Sequence, residues 1–297
     1  MTEGYSRSDL ACESFSSCEE LPRGASHSNE RIGGFEISRL RISSAEASAA
    51  LQKPLGSYVT VETGRLGSIS DDDSNRLAHL LAGELRGIST RLTGRTPDAE
   101  FGVFVAGLGN AELTADAIGP KTVGLLTATR HLREHEEGVY RRLRCSSLSA
   151  MAPGVLGQTG IETLELLRGA VSIVRPDVVI LIDALAARSC DRLAATVQIS
   201  DVGISPGSGV GNHRSSITRE SLGVPVISVG VPTVVNSATL VYDALAEAGI
   251  TEIDDSLCRV LENGKSFFVS PKESDVITHE VAKLLSRSIA LAFTGGY

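Results

Sequence analysis

The stretch VVILIDALAAR (178–188) sets five consecutive branched aliphatic residues, Val178 to Ile182, directly before a carboxylate, Asp183. An apolar run that short and that continuous predicts a strand buried on both faces, the signature of a parallel sheet covered by helices. Similar short runs recur on either side of it. FGVFVAG (101–107), CSSLSAM (145–151), TVQIS (196–200) and VPVISVG (224–230) all read as strands, preceded by FEISRLRI (35–42) and SYVTVE (57–62). Amphipathic helical patterns lie between them. In SISDDDSNRLAHLLAGELRGIS (68–89), three aspartates stand where a helix N-terminus favours negative charge, and Leu77, Leu80, Leu81, Leu85 and Ile88 form one stripe. A helix is expected through Thr122–His131. A capping box from Thr159 to Glu162 is expected to open the helix IETLELLRGAVSIV, and Ser270-Pro-Lys-Glu273 to open the last one. The expected fold class is α/β, a mostly parallel twisted sheet with helices on both faces.

The 297 residues suffice for one such domain, and a hydrophobic content of 42% fits an ordinary globular chain. Residues 1–33 are polar and lack an apolar period, so they read as a loosely held arm. The opening lacks the basic-then-apolar order of a secretory leader, and no apolar run is long enough to cross a bilayer. A cytoplasmic location with no membrane association is therefore expected. Five widely spaced cysteines without a CxxC pair argue against a disulfide framework and a zinc knuckle. A net charge of −8 argues against a dedicated nucleic-acid binder.

In open α/β sheets the functional crevice lies beyond the carboxyl ends of the strands, which singles out two carboxylates. Asp183 ends an apolar strand and has no sequence-local reason to be there, since burying it unpaired costs several kcal/mol or forces it neutral. Asp116, in GLGNAELTADAIGP (107–120), follows a strand and a glycine turn; its plainer reading is a residue at a helix N-terminus. If neighbouring strands bring the two together, mutual repulsion raises one pKa, which suits acid–base hydrolysis. Asn110 in the first turn, and Asp201, Gly207 and Gly209 in the second glycine loop, are candidates for touching substrate. Weaker motifs stay incomplete. GLGN does not finish a dinucleotide fingerprint, because Glu112 stands where glycine is needed, and GISPGSGVGNHR (203–214) lacks P-loop spacing. His131, Glu134 and His135 match an inverted zinc-peptidase pattern but have no evident third ligand.

Taken together, GLGNAELTADAIGP, TATRHL, SAMAPGVLGQTGIET, RPDVVILIDALAAR, TVQISDVGISPGSGVGN, LGVPVISVGVPTVV and FFVSPKESD resemble the germination proteases of spore-forming bacteria. The resemblance implies a fold similar to that of the hydrogenase-maturation peptidases. It also implies an endopeptidase acting on small acid-soluble spore proteins in the spore core, with Asp116 and Asp183 as its two essential aspartates. A homotetramer made as an inactive precursor is implied as well, and no cofactor is expected; a metal held by the two carboxylates is the mechanistic alternative. That family cuts after an acidic residue and before a hydrophobic-Ala-small-Glu run, a pattern met at Ser8-Asp9-Leu10-Ala11-Cys12-Glu13. Self-cleavage between Asp9 and Leu10 is thus expected, making 1–9 a pro-segment and 10–297 a single peptidase domain. The chain is short between Val235 and Phe267, where the resemblance implies a long insertion, which bears on the tetramer. Two other functions fit the sequence: a peptidase that trims a metalloenzyme precursor, and a non-catalytic protein that binds a ligand through its glycine loops.

Overall fold

The computed structural model describes residues 8–15, 20–207, 214–250, 254–263 and 267–293. Its strands are β1 (Ala25–Ile32), β2 (Phe35–Ile42), β3 (Gly56–Glu62), β4 (Gly102–Gly107), β5 (Ser147–Met151), β6 (Val178–Ala187), β7 (Thr196–Ser200), β8 (Val226–Asn236) and β9 (Phe268–Val269). Its helices are α1 (Ala11–Phe15), α2 (Ala45–Leu51), α3 (Asp71–Thr93), α4 (Ile118–Leu125), α5 (Arg130–His135), α6 (Glu137–Leu143), α7 (Leu156–Thr159), α8 (Thr163–Val174), α9 (Arg219–Leu222), α10 (Ser237–Glu247), α11 (Asp255–Asn263) and α12 (Ser274–Phe293). Among the described residues, no helix is long and apolar enough to cross a membrane.

Among the described residues, all nine strands join one sheet in the order β1-β2-β3-β7-β8-β6-β4-β5, with β9 pairing β8. The α/β class holds, and the parallel pairing runs through β5-β4-β6-β8. The remaining neighbours are antiparallel, so the sheet is mixed, with its parallel part at the centre of the chemistry. Alternation along β6 and β4 divides their side chains between two cores. Val103, Val105, Val178, Ile180 and Ile182 pack under α3 and α12 through Leu77, Leu81, Leu85, Val281 and Leu285. Phe104, Ala106, Val179 and Leu181 pack under α8 through Leu164, Leu167 and Val171. Helices on both faces are the reason β6 can be apolar without a break.

Several sequence expectations need local correction. The reading of residues 10–33 as a loose arm fails twice. Leu10, Ala11, Cys12 and Glu13 are buried, and Ala25–Ile32 forms a full strand against β2. That hairpin turns on Gly33 and Gly34, whose φ values of +61° and +97° suit glycine in a two-residue turn. The expected helix through Thr122–His131 breaks after Leu125, because Thr129 is tied to β5 instead. Its hydroxyl donates to the Ser146 carbonyl (2.7 Å) and accepts from the Leu148 amide (2.9 Å). Thr159 closes α7 rather than capping α8, whose N-cap Glu162 makes no side-chain capping bond. Residues 270–273 form a turn before α12, whose first helical bond runs from the Ile277 amide to the Glu273 carbonyl.

Close glycine contacts fix how α4 meets the sheet. A Cβ at Gly119 would lie 2.3 Å from the Leu108 carbonyl oxygen and 2.6 Å from that of Ile182; one at Gly107 would lie 2.2 Å from the Gly119 oxygen. These neighbours are backbone and cannot swing aside. Gly119→Ala is expected to destabilise the fold by about 1–3 kcal/mol, the usual cost of overpacking, measured by urea denaturation. Because the displaced element follows Asp116, the same variant should also lose activity.

Candidate active site

The crevice arises where two strands end at different places. Pairing between β4 and β6 stops at Gly107–Ile182, sealed by a 2.8 Å bond from the Leu108 amide to the Ile182 carbonyl. Pairing between β6 and β8 continues to Ala187–Val235. From Asp183 onward, β6 therefore has one edge not taken by β4. Asp183 is the first residue past the seal.

Asp116 reaches the same crevice from the turn after β4. It ends a single 3-10 turn, Thr114–Asp116, immediately before α4. The Asn110 amide donates to its Oδ2 at 2.7 Å. Gly109, at φ +104°, lets the backbone pass so closely that a Cβ there would sit 2.1 Å from the Asp116 carbonyl oxygen. Asp116 and Asp183 line one cavity of about 640 Å³, together with Leu108, Gly109, Leu185, Ala186, Gly207 and Thr233 among others. Asp183 is 6% exposed, and the Ala184 amide donates to its Oδ1 at 3.0 Å. Burial pushes its carboxyl well above the ordinary carboxylate range; the charges of Asp116 and then Asp9 push the same way, and the Ala184 bond opposes them. Asp116 is half-buried and raised as well, by desolvation, against the bond from Asn110.

The N-terminal segment lies along the open edge of β6. The Asp9 amide donates to the Ala186 carbonyl (2.9 Å), and the Ala186 amide donates to Asp9 Oδ2 (2.9 Å). Glu13 accepts from two consecutive amides, Arg188 (2.8 Å) and Ser189 (2.9 Å), and from the Ser8 hydroxyl. Gln198, on β7, donates from Nε2 to the Asp9 carbonyl (3.2 Å) and accepts at Oε1 from the Ala11 amide (2.6 Å). Leu10 between them is fully buried, in a cluster with Cys12, Leu185, Ala187 and Val235. Burying such a side chain contributes roughly 1.5–3 kcal/mol. Lys53 donates from Nζ to the Ser8 carbonyl (2.6 Å); burial lowers its pKa, opposed by the charges of Asp9 and Glu13.

The other candidates separate. Asn110 belongs to the site: besides its amide bond to Asp116, its Oδ1 accepts from Gln158 (2.9 Å) and from the Glu112 amide (3.0 Å). Gly207 lines the main cavity and a second one of about 650 Å³, which shares Asp9 and Asp183. Asp201 lines only the second of these. It accepts from the Ser57 amide (2.7 Å) and from Arg91 (3.2 Å), tying β3 and α3 to the end of β7. Gly209 lies outside the described residues. His131, Glu134 and His135 are exposed on α5, with Glu134 paired to Arg130. Among the described residues, no group of three or more His, Cys, Asp or Glu side chains is placed to hold a metal ion. Sequence reasoning missed Gln198, Lys53 and the amides of Ala186, Arg188 and Ser189. Backbone amides carry no sequence signal, and Gln198 sits in an alternating TVQIS that reads as a strand with one wet face.

A buried carboxylate on β6 and a half-buried one in the turn before α4, beside an open strand edge that holds the chain's own N-terminal segment, define an α/β protein built to handle a polypeptide. A family model described as germination protease matches residues 13–248. The germination protease of Caldanaerobacter subterraneus subsp. tengcongensis is 41% identical, covering 98% of this chain and 94% of that one. That of Clostridium perfringens strain 13 is 39% identical over 87% of this chain and 84% of its own. That of Priestia megaterium is 44% identical over 71% of this chain and 56% of its own. A solved [NiFe] hydrogenase maturation protease, HycI from Thermococcus kodakarensis, aligns with 65% of this chain and 93% of its own at 16% identity and a TM-score of 0.32. The chain is a protease, and it belongs to the germination protease family.

The raised carboxyls give a stability test with a definite sign. A carboxyl whose pKa is higher folded than unfolded holds its proton longer in the native state. Its contribution is therefore favourable below the unfolded value, near 4, and is lost as pH rises toward the folded value. Asp183→Asn removes the charge and keeps an acceptor for the Ala184 amide. The variant is expected to melt higher than the parent at pH 7, with the gap closing toward pH 4, in calorimetric scans at both pH values.

Proposed function

We propose that this chain is an endopeptidase that begins the degradation of small acid-soluble spore proteins in the spore core during germination. It is made as a zymogen that cuts itself between Asp9 and Leu10, works as a homotetramer, and needs neither membrane nor nucleic acid. The observation that carries this reading is the segment 8–13, which enters α1 at Ala11 and is bonded through Asp9 to the free edge of β6 near Asp183. A peptide tied to a strand edge through its main chain, with a side chain seated in an apolar cluster as Leu10 is, is one way a protein takes hold of a polypeptide. The same docking fills the crevice, so the uncut chain excludes other substrates.

Asp116 and Asp183 supply the chemistry in this scheme. In this scheme the pair holds one proton, on Asp183, whose carboxyl is raised by burial and then by the charge of Asp116, while Asp116 is raised by desolvation alone. The ionised partner takes a proton from water as its oxygen bonds to the Asp9 carbonyl carbon. The protonated partner gives its proton to the Leu10 nitrogen as the C–N bond breaks. A metal is not needed for either transfer, so cleavage is expected to survive chelators.

Intact-mass analysis of the purified chain in mildly acidic buffer tests the scheme. A new N-terminus at Leu10 is expected for the parent. Asp116→Asn and Asp183→Asn should stay uncut while melting cooperatively, with losses of at least the 10²–10⁴-fold typical of acid–base groups. Near-normal turnover by either variant, or a new N-terminus elsewhere, would overturn the assignment. Incubation of the processed protein with a small acid-soluble spore protein then tests the substrate.

A further inference from the structure

The crevice holds a polar group that the two aspartates do not account for. Gln198 is 8% exposed, in the middle of β7, with its side chain spanning the peptide bond proposed for self-cleavage. Its carboxamide touches both sides of Leu10. Ala11 offers an N–H and can only donate, which fixes Oε1 toward it (2.6 Å) and Nε2 toward the Asp9 carbonyl (3.2 Å).

The sheet register sets Gln198 and Asp183 on one face. Gln198 lies opposite Gly230 on β8, and Gly230 lies opposite Asp183 on β6. Residues in one cross-strand row project to the same side, and two strand spacings separate the outer pair by roughly 10 Å. Gly230 between them carries no side chain. A Cβ there would lie 2.4 Å from the Leu185 side chain, which packs with Leu10. The glycine thus makes room for Leu185, against which Leu10 of the peptide packs, in the row that carries the carboxyl at one end and the amide donor at the other.

We propose that Gln198 is a catalytic residue whose Nε2–H stabilises the negative charge that develops on the carbonyl oxygen of the scissile bond. This rests on the reading of Asp9–Leu10 as that bond. The contact lengths fit the role. The bond that anchors the peptide, from Ala11, is short, while the one to the carbonyl is long in the uncut chain. A donor that is under-used in the ground state tightens as water adds to the carbon and the C=O electron pair moves onto oxygen. Collapse of that oxyanion restores C=O, expels the Leu10 amine with the proton from the acid carboxyl, and relaxes the Gln198 bond. No oxidant, metal or further reactant is required for the balance.

The test uses the full chain, reading the first-order rate of self-cleavage together with hydrogen exchange of residues 8–13 and 184–189. Gln198→Met keeps the size and removes donor and acceptor; Gln198→Glu keeps an acceptor for the Ala11 amide and removes the amide donor. With the segment still protected, both are expected to slow cleavage on the order of 10²- to 10³-fold, the usual loss for one oxyanion donor. A rate unchanged in either protected variant would overturn the proposal. So would a rate that falls only in step with lost protection, since Gln198 would then merely hold the segment. Failure of the parent to cut at Asp9–Leu10 would instead sink the proposed function on which this inference depends.

Discussion

One unequal pair of strand ends organises this molecule. β6 is paired on both sides as far as Ile182, and from there only β8 follows it. A strand edge freed inside a nine-stranded sheet is an unsatisfied row of donors and acceptors, and unpaired strand edges invite another chain. Here the chain's own N-terminal residues take the place, through bonds between Asp9 and Ala186 and from Arg188 and Ser189 to Glu13. The same step in the sheet turns Asp183 from a core position into a crevice wall. Site and docking groove are therefore one feature.

Keeping a carboxyl at that position works against folding at neutral pH. Asp183 is desolvated and faces Asp116, and Asp9 adds a third negative charge. A hydrogen bond from the next residue's amide offsets part of that cost. What holds the arrangement is packing elsewhere: the aliphatic layers above and below Val178–Ile182, and the glycine contacts that press α4 onto the strand ends. Such positions, where local preference and the global fold disagree, are where function is usually found.

How much could be read from residues alone follows from which physical signals are local. The five aliphatics before Asp183 announce a buried strand, and the three aspartates at 71–73 announce the start of α3, because burial and helix polarity act over a few residues. Asp116 was ambiguous, since a turn before a helix explains an aspartate there; only register brings it to Asp183. The hairpin of β1 and β2 was legible but weak: Gly33-Gly34 signals a tight turn, yet the polar SHSNERI before it conceals a strand that lies mostly exposed. The antiparallel pairing of β3, β7 and β8 carries no such local mark, because the direction of those pairs is set by connections and not by composition. Asp201 shows a side chain with a second use. Beside a glycine loop it reads as a substrate contact, while its carboxylate secures the Ser57 amide and Arg91.

The face of β7 is the clearest case of a pattern whose meaning depends on what covers it. Thr196, Gln198 and Ser200 alternate with Val197 and Ile199, which by period alone gives a wet side and a dry side. All five are buried. The polar side is covered in part by the N-terminal segment, with Gln198 bonded to Asp9 and Ala11, while Ser200 meets Ser228 at 2.5 Å. A buried polar row must find partners, and an incoming peptide backbone, with an N–H and a C=O at every residue, can supply them. On the proposed reading, release of the segment leaves the Gln198 carboxamide to water, and it pairs again with the backbone of the next peptide, independent of that peptide's side chains. On the same reading, the row Gln198–Gly230–Asp183 engages a chain that reaches the edge of β6 through its backbone, and choice among chains falls to the amides of Ala186, Arg188 and Ser189, which here donate to the carboxylates of Asp9 and Glu13.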